Sequence, residues 1–158
     1  MEELLKKIYS SRGLKITLFS LNIFISAVFV VAGGALVVLA LSRGALETFA
    51  LGVCALFPFV IVSIVRRATN APRPLDVFKI EGARGKRSPA FPSRHALCSS
   101  LIASLMLHYS IPLAIALLPL SLVLSALRVL LGYHFPRDVI TASLVGIISA
   151  LLGIIILL

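Results

Sequence analysis

Three short segments of the sequence carry residue types that could bind a phosphate ester and cleave it. They are Arg66-x6-Arg73-Pro74, Pro92-Ser93-Arg94-His95 and Arg128-x5-His134-x3-Asp138. An arginine side chain stays protonated, and its planar fork of N–H groups matches two phosphate oxygens at once. Histidine titrates near neutral pH, so it can transfer a proton or attack phosphorus as a nucleophile. The three segments together indicate phosphate-transfer chemistry.

The spacing within the third segment assigns different roles to the two histidines. Asp138 follows His134 by four residues, so its carboxylate is placed to accept a proton from one imidazole nitrogen and leave the other free to attack. His134 is therefore the predicted nucleophile, and His95 is the predicted acid that protonates the leaving oxygen. His108 has no such companions, and we interpret it as a polar residue near the membrane surface.

The arginines and the second segment are predicted to hold the phosphate. Arg66, Arg73 and Arg128 come from separate elements of the chain and could converge on one anion. The second segment precedes an apolar stretch, and a helix that starts there presents free backbone N–H groups to an anion. Ser93 could cap this helix, bind phosphate through its hydroxyl, or do both. A solvated basic rim is the alternative for any single arginine.

A metal site is the main competitor for two histidines and an aspartate. The local charge argues against it, because a divalent cation would lie among several arginines with Asp138 as the one nearby carboxylate. We therefore predict chemistry without a metal and without a cofactor.

The rest of the chain is apolar enough to lie in a bilayer. Of 158 residues, 59% are hydrophobic and 13% are charged, and the mean hydropathy is +1.09. Soluble domains carry about twice this share of charged residues, and about 20 apolar residues span a bilayer core. We predict an all-α integral membrane protein with one domain and a bundle of about five transmembrane helices. The predicted spans are 16–41, 45–65, 95–109, 111–128 and 136–158, with a motif loop at 66–94.

The residues before the first span predict a short helix that lies on the membrane surface. Glu2 and Glu3 stand four residues before Lys6 and Lys7, a spacing that favours ion pairs along a helix. Apolar side chains are available for the opposite face of this helix. These are Leu4, Leu5, Ile8 and Tyr9.

The basic residues collect on one side of the predicted bundle. When five spans are threaded through a membrane, fourteen of the fifteen Lys and Arg residues share the side that holds both internal motif loops. Arg43 lies on the other side. Without the four predicted phosphate-binding arginines Arg66, Arg73, Arg94 and Arg128, the ratio is still ten to one. This bias predicts a multi-pass protein of the plasma membrane with a cytoplasmic site, although a basic patch around an anionic head group would give the same asymmetry.

The net charge of +9 could suggest a nucleic-acid partner, but the distribution of the charge argues against one. Binding a polynucleotide requires a broad basic surface with stacking aromatic residues, and the motif loop offers Phe78 and Phe91 alone. The expected partners are the bilayer and a lipid phosphate or diphosphate substrate.

The three segments resemble the signature of the type 2 phosphatidic acid phosphatase (PAP2) superfamily, which reads Lys-x6-Arg-Pro, Pro-Ser-Gly-His and Ser-Arg-x5-His-x3-Asp. The resemblance extends in order over residues 66–138. It implies a helical membrane fold and dephosphorylation without metal through a phosphohistidine. It also implies roles for single residues: His134 as nucleophile, Asp138 as its orienting partner, His95 as general acid, and Arg66, Arg73, Ser93, Arg94 and Arg128 as phosphate binders.

Three positions depart from this signature. Arg66 replaces lysine, Arg94 replaces glycine and Leu127 replaces serine. We hypothesise that Arg94 adds a contact to a second phosphate and so favours a diphosphate. The small five-span layout resembles compact microbial members, whose typical substrates are polyprenyl diphosphates and phosphatidylglycerol phosphate; phosphatidate belongs to the same chemical class.

Two other functions remain as alternatives. The same histidine could transfer the phosphoryl group to a lipid or sugar acceptor in place of water. A catalytically inactive protein could bind anionic lipid through its basic loop, but this role needs the arginines and not His95, His134 and Asp138.

Overall fold

The computed structural model describes residues 1–81, 83 and 88–157, and these form seven helices without a β-strand. Residues 82 and 84–87 of the predicted motif loop, and residue 158 at the end of the predicted fifth span, lie outside the described residues. The helices in chain order are α1 (Glu2–Ser10), α2 (Arg12–Arg43), α3 (Ala45–Thr69), α4 (Pro74–Val77), α5 (Arg94–Tyr109), α6 (Ile111–Leu130) and α7 (Pro136–Leu157).

Four segments within the described residues are long and apolar enough to cross a membrane, which makes this a multi-pass membrane protein. They are α2, α6, α7 and the segment Ala45–Val77, which contains α3 and α4. The remaining predicted span, 95–109, corresponds to α5, which has 16 residues and is therefore about 24 Å long, shorter than a bilayer core of about 30 Å. The count of five transmembrane helices stays a prediction.

Helix α5 lies at the centre of the bundle. Nine of its residues are buried, and it packs against α7, α6, α2 and α3. Its most extensive contact is with α7. The first residues of these two helices belong to the second and third motif segments, so their packing sets the distance between those segments.

Gly146 of α7 allows this close packing. A Cβ atom at this position would overlap Ser100 Oγ and would lie 2.6 Å from the carbonyl oxygen of Leu97, both on α5. Small residues at helix contacts let two backbones approach closely in a membrane, where the apolar effect between helices is weak. Glycine is therefore required at this point of the α5–α7 contact.

The loop between α6 and α7 is held in place by contacts with α1 and α4. Gly132 adopts a positive φ of 70°, and its carbonyl oxygen accepts a hydrogen bond from the backbone N–H of Leu75 at 3.2 Å. The Tyr9 hydroxyl donates to the carbonyl oxygen of Leu131 at 3.2 Å. Leu5 is fully buried and packs with Leu75 and Ile80. The predicted N-terminal helix is thus present and rests against the protein, while its placement at the membrane surface stays a prediction.

We expect Gly146→Leu to destabilise the bundle, because overpacking a close helix contact costs about 1–3 kcal/mol or more. The measurement is the apparent melting temperature of the detergent-solubilised protein. Gly34→Leu is the matched control, since Gly34 lies on a membrane helix and a Cβ there meets no atom within 4 Å. We expect a lower melting temperature for the first variant alone. Equal melting temperatures for both variants would contradict the proposed role of Gly146.

Candidate active site

Six of the eight predicted site residues line one cavity of about 400 Å³. They are Arg66, Arg73, Arg94, His95, Arg128 and His134. The cavity lies where α3, α5 and α6 end or begin, and α2 forms its remaining wall. Among the described residues that line it, none carries a carboxylate. The other two predicted residues, Ser93 and Asp138, are buried behind the wall.

His134 is held at the cavity by the backbone of the preceding turn. Its N–H and that of Tyr133 both donate to the carbonyl oxygen of Arg128, at 3.3 and 3.0 Å, so the loop folds back onto the end of α6. The side chain is 2% exposed. This places a buried imidazole directly beside the arginine cluster.

Asp138 lies behind His134 in the first turn of α7. Its Oδ2 accepts a hydrogen bond from the backbone N–H of Phe135 at 2.8 Å and lies 3.8 Å from His134 Nδ1. Within the described residues, His134 Nδ1 and Asp138 Oδ1 are buried without a hydrogen-bond partner. The separation is about 1 Å longer than a hydrogen bond. Catalytic hydrogen bonds are often this long before substrate binds, so the predicted orienting contact requires a small closing movement.

Burial is the largest influence on the pKa of His134 and lowers it below its ordinary value. Asp138 opposes this effect, whereas the positive charges of Arg128, Arg73 and Arg66 lower the pKa further. The imidazole is therefore neutral at pH 7 and keeps a lone pair. Since Nδ1 faces Asp138, the nitrogen available for attack is Nε2.

Arg66 connects the end of α3 to the segment that precedes α5. Its Nη1 donates to the carbonyl oxygens of Ala90 and Pro92, at 3.0 and 2.8 Å, and the residue is 6% exposed. Arg66 also lines the cavity. The predicted phosphate-binding arginine is thus also a structural one, which holds the start of the second motif segment in place.

Arg73 also donates hydrogen bonds to a distant part of the chain, in this case to Ser88. Ser88 was not among the residues predicted from the sequence. Arg73 Nε donates to the carbonyl oxygen of Ser88 at 3.0 Å, and Nη2 donates to Ser88 Oγ at 2.7 Å. Ser88 lines the cavity as well. No local sequence pattern pairs these residues, because fifteen positions separate them.

Arg128 connects the two histidine-bearing regions to α2. Its Nη1 donates to Asn22 Oδ1 at 3.3 Å, and its Nη2 contacts His95 Nδ1. A guanidinium can only donate, so in the protein without substrate Nδ1 of His95 acts as the acceptor and the proton of the neutral imidazole lies on Nε2. Asn22 was not among the residues predicted from the sequence. The available signal was an amide side chain, 6% exposed, within a long apolar helix.

Ser93 serves as the N-cap of α5. Its Oγ accepts a hydrogen bond from the backbone N–H of Ala96 at 3.4 Å, and its own N–H donates to the carbonyl oxygen of Asp138 at 3.1 Å. These two bonds join the first turns of α5 and α7. Of the roles that the sequence left open for Ser93, the capping role is present, and phosphate binding by its hydroxyl stays a prediction.

Arg94 is exposed and lies between two cavities. Its guanidinium carbon is 5.8 Å from the centre of the Phe59 ring. Together with Arg66 and Ser88 it lines both the site and a second cavity of about 500 Å³, which Arg67 also borders. A ligand larger than one phosphate group would therefore find positive charge on both sides of Arg94.

His108 lies at the other end of α5 from the site. Its Nε2 is 3.1 Å from Arg43 Nη1 and 3.6 Å from Glu47 Oε2. Among the described residues, no group of three or more His, Cys, Asp or Glu side chains is arranged to hold a metal ion.

We expect the pKa of His134 to lie below 6.5, and Asp138→Asn to lower it further, because the carboxylate raises it and the amide would not. The measurement is an NMR pH titration of protein with ¹⁵N-labelled histidine, assigned by replacing each of the three histidines in turn. A His134 pKa at or above 6.5, or a rise in Asp138→Asn, would contradict this electrostatic analysis.

A family model described as the PAP2 superfamily matches residues 47–157, which is more than half of the chain and includes every predicted site residue. Comparisons with curated proteins and with solved structures gave no match. Helix α2, including Asn22, lies before the matched region. The chain belongs to the PAP2 superfamily of phosphatases and phosphotransferases.

Proposed function

We propose that this protein is a membrane lipid phosphatase that removes phosphate from a lipid phosphate or diphosphate through a phosphohistidine at His134, without a metal. The observation that carries this proposal is the shared cavity of four arginines and two histidines, among whose described lining residues no carboxylate occurs. A cavity with this excess of positive charge favours an anion with two or three negative charges. Inorganic phosphate and phosphate esters have this charge.

The lowered pKa of His134 supports its role as nucleophile. In the first step, Nε2 of His134 attacks phosphorus, and the bond from phosphorus to the leaving oxygen breaks. His95 acts in this step as the imidazolium, gives its Nε2 proton to that oxygen and becomes neutral. Because Nδ1 of the imidazolium also carries a proton, the contact between His95 Nδ1 and Arg128 opens when the substrate binds. Asp138 accepts the Nδ1–H of His134 and stabilises the positive charge on the imidazole. The guanidinium groups stabilise the negative charge on the phosphoryl oxygens.

The second step returns the enzyme to its initial state. His95, now without the proton, takes one from water, and the resulting hydroxide attacks the phosphohistidine. The nitrogen–phosphorus bond breaks, and inorganic phosphate leaves with the lone pair restored to His134 Nε2. An alcohol in place of water would give a phosphotransferase by the same steps.

The position of Arg94 supports a diphosphate as substrate. Because it borders both the site and the second basic cavity, its guanidinium can contact a phosphate next to the one that is attacked. Polyprenyl diphosphate and phosphatidylglycerol phosphate both carry two phosphate groups and are the proposed substrate types. The charge bias of the chain supports a site on the cytoplasmic side of the plasma membrane.

We expect the purified protein to release phosphate from a polyprenyl diphosphate, phosphatidylglycerol phosphate or phosphatidate in excess chelator. His134→Ala should lose this activity by about 10³-fold or more, because it removes the nucleophile. The matched control is His108→Ala, which removes a histidine at the other end of α5. Equal release by wild type and His134→Ala would contradict the proposal.

Arg94→Gly, measured in the same assay, tests the preference for a diphosphate. We expect kcat/KM to fall more for the diphosphate than for the monophosphates, by about tenfold for one lost charged contact. An equal effect on both substrate classes would show that Arg94 does not contact a second phosphate.

A further inference from the structure

Two neighbouring apolar cavities lie along α2 and α5, and the first of them adjoins the active-site cavity; we call the two together the apolar cleft. The first part of the cleft is a cavity of about 240 Å³ between α2, α5 and α6, and the second is a cavity of about 360 Å³ between α2, α3 and α5. Aliphatic and aromatic side chains such as Phe29, Leu36 and Leu101 line most of this space.

The two parts of the cleft and the active site share wall residues. His95 and Ser26 border both the active-site cavity and the first part of the cleft. Gly33, Cys98 and Ile102 border both the first and the second part. The cleft therefore begins at the proposed general acid and follows α5 from His95 to Leu105, which is about 15 Å along the helix.

We propose that this cleft binds the hydrocarbon chain that is attached to the leaving oxygen of the substrate. The inference rests on the proposed function. His95 gives its proton to the leaving oxygen, so the chain bonded to that oxygen starts beside His95, where the cleft starts. The ligand of the cleft is an alkyl or prenyl chain, and burial of this chain in the apolar cleft orients the phosphate toward His134.

Gly33 lies at the boundary between the two parts of the cleft. It borders both parts, and a Cβ atom there would lie 3.3 Å from Ile102 Cδ1 on the opposite wall. A larger side chain at this position would occupy space in the cleft. Gly34, the next residue, is exposed, and a Cβ there meets no atom within 4 Å. The chain thus offers a matched pair of glycines, one inside the cleft and one outside it.

The test compares Gly33→Leu with Gly34→Leu on phosphates that differ in chain length. For a prenyl phosphate and a long-chain phosphatidate, we expect kcat/KM of Gly33→Leu to fall by about tenfold, the effect of losing contacts to roughly two methylene groups. A water-soluble phosphate with a four-carbon chain should be cleaved at the wild-type rate by both variants. Loss for the prenyl phosphate alone would assign the cleft to a prenyl chain, and loss for phosphatidate alone to an acyl chain.

Unchanged cleavage of both long-chain lipids by Gly33→Leu would overturn the proposal. So would an equal loss on the long and short substrates, since that would show a general distortion of the site.

A second measurement examines the cleft without catalysis. Protein with His134→Ala is mixed with a long-chain alkyl phosphate that carries a photoreactive diazirine on its chain, and the crosslinked residues are identified by mass spectrometry. We expect crosslinks at residues 33–37 and 98–105. Crosslinks confined to outward-facing residues such as Leu144 and Ile148 would contradict the proposal that the cleft binds the hydrocarbon chain. Absence of phosphate release by wild type would overturn the proposed function instead, and the crosslinks would still decide the cleft.

Discussion

The structure depends on how it holds guanidinium groups inside an apolar bundle. Removing a cation from water costs several kcal/mol unless fixed polar groups replace the lost hydration. Carbonyl oxygens of the loop before α5 do this for Arg66, Ser88 does it for Arg73, and Asn22 does it for Arg128. Each of these bonds also ties one segment of the chain to another. The hydrogen bonds that replace the hydration of the arginines therefore also hold the wall of the site together. The positive charge of the guanidinium groups faces the cavity, where an anion can bind.

The positions of the long helices could be predicted closely from the sequence, because each long apolar run corresponds to the part of a helix that lies in lipid. The prediction ended α3 at residue 65 and began α2 at residue 16, whereas these helices extend to Thr69 and from Arg12. Polar residues continue a helix beyond the bilayer core without changing the hydropathy pattern. Helix α5 shows a different limit: its apolar residues face other helices instead of lipid, so hydropathy alone does not distinguish a short span from a buried core helix.

The site could be predicted as far as its residues belong to ordered motifs. Six of them line the cavity, but their supporting contacts could not be predicted, because these join distant parts of the chain. Asn22 and Arg128 are 106 positions apart, and the pairing follows from the packing of α2 against α6. Ser93 illustrates the reverse case, in which the sequence allowed two roles and the fold uses its hydroxyl as a helix cap. The region before residue 47, which the family match does not include, supplies one wall of the site.

In the proposed mechanism, His134 carries the phosphoryl group during the reaction. The most direct measurement is to mix the protein with a ³²P-labelled lipid phosphate in excess chelator, stop the reaction within milliseconds in base, and locate the label by mass spectrometry of peptides. We expect an alkali-stable, acid-labile phosphohistidine at position 134, absent from His134→Ala and longer-lived in His95→Ala, where the base for water attack is missing. Label on any other residue, or rapid turnover with no labelled protein, would contradict it.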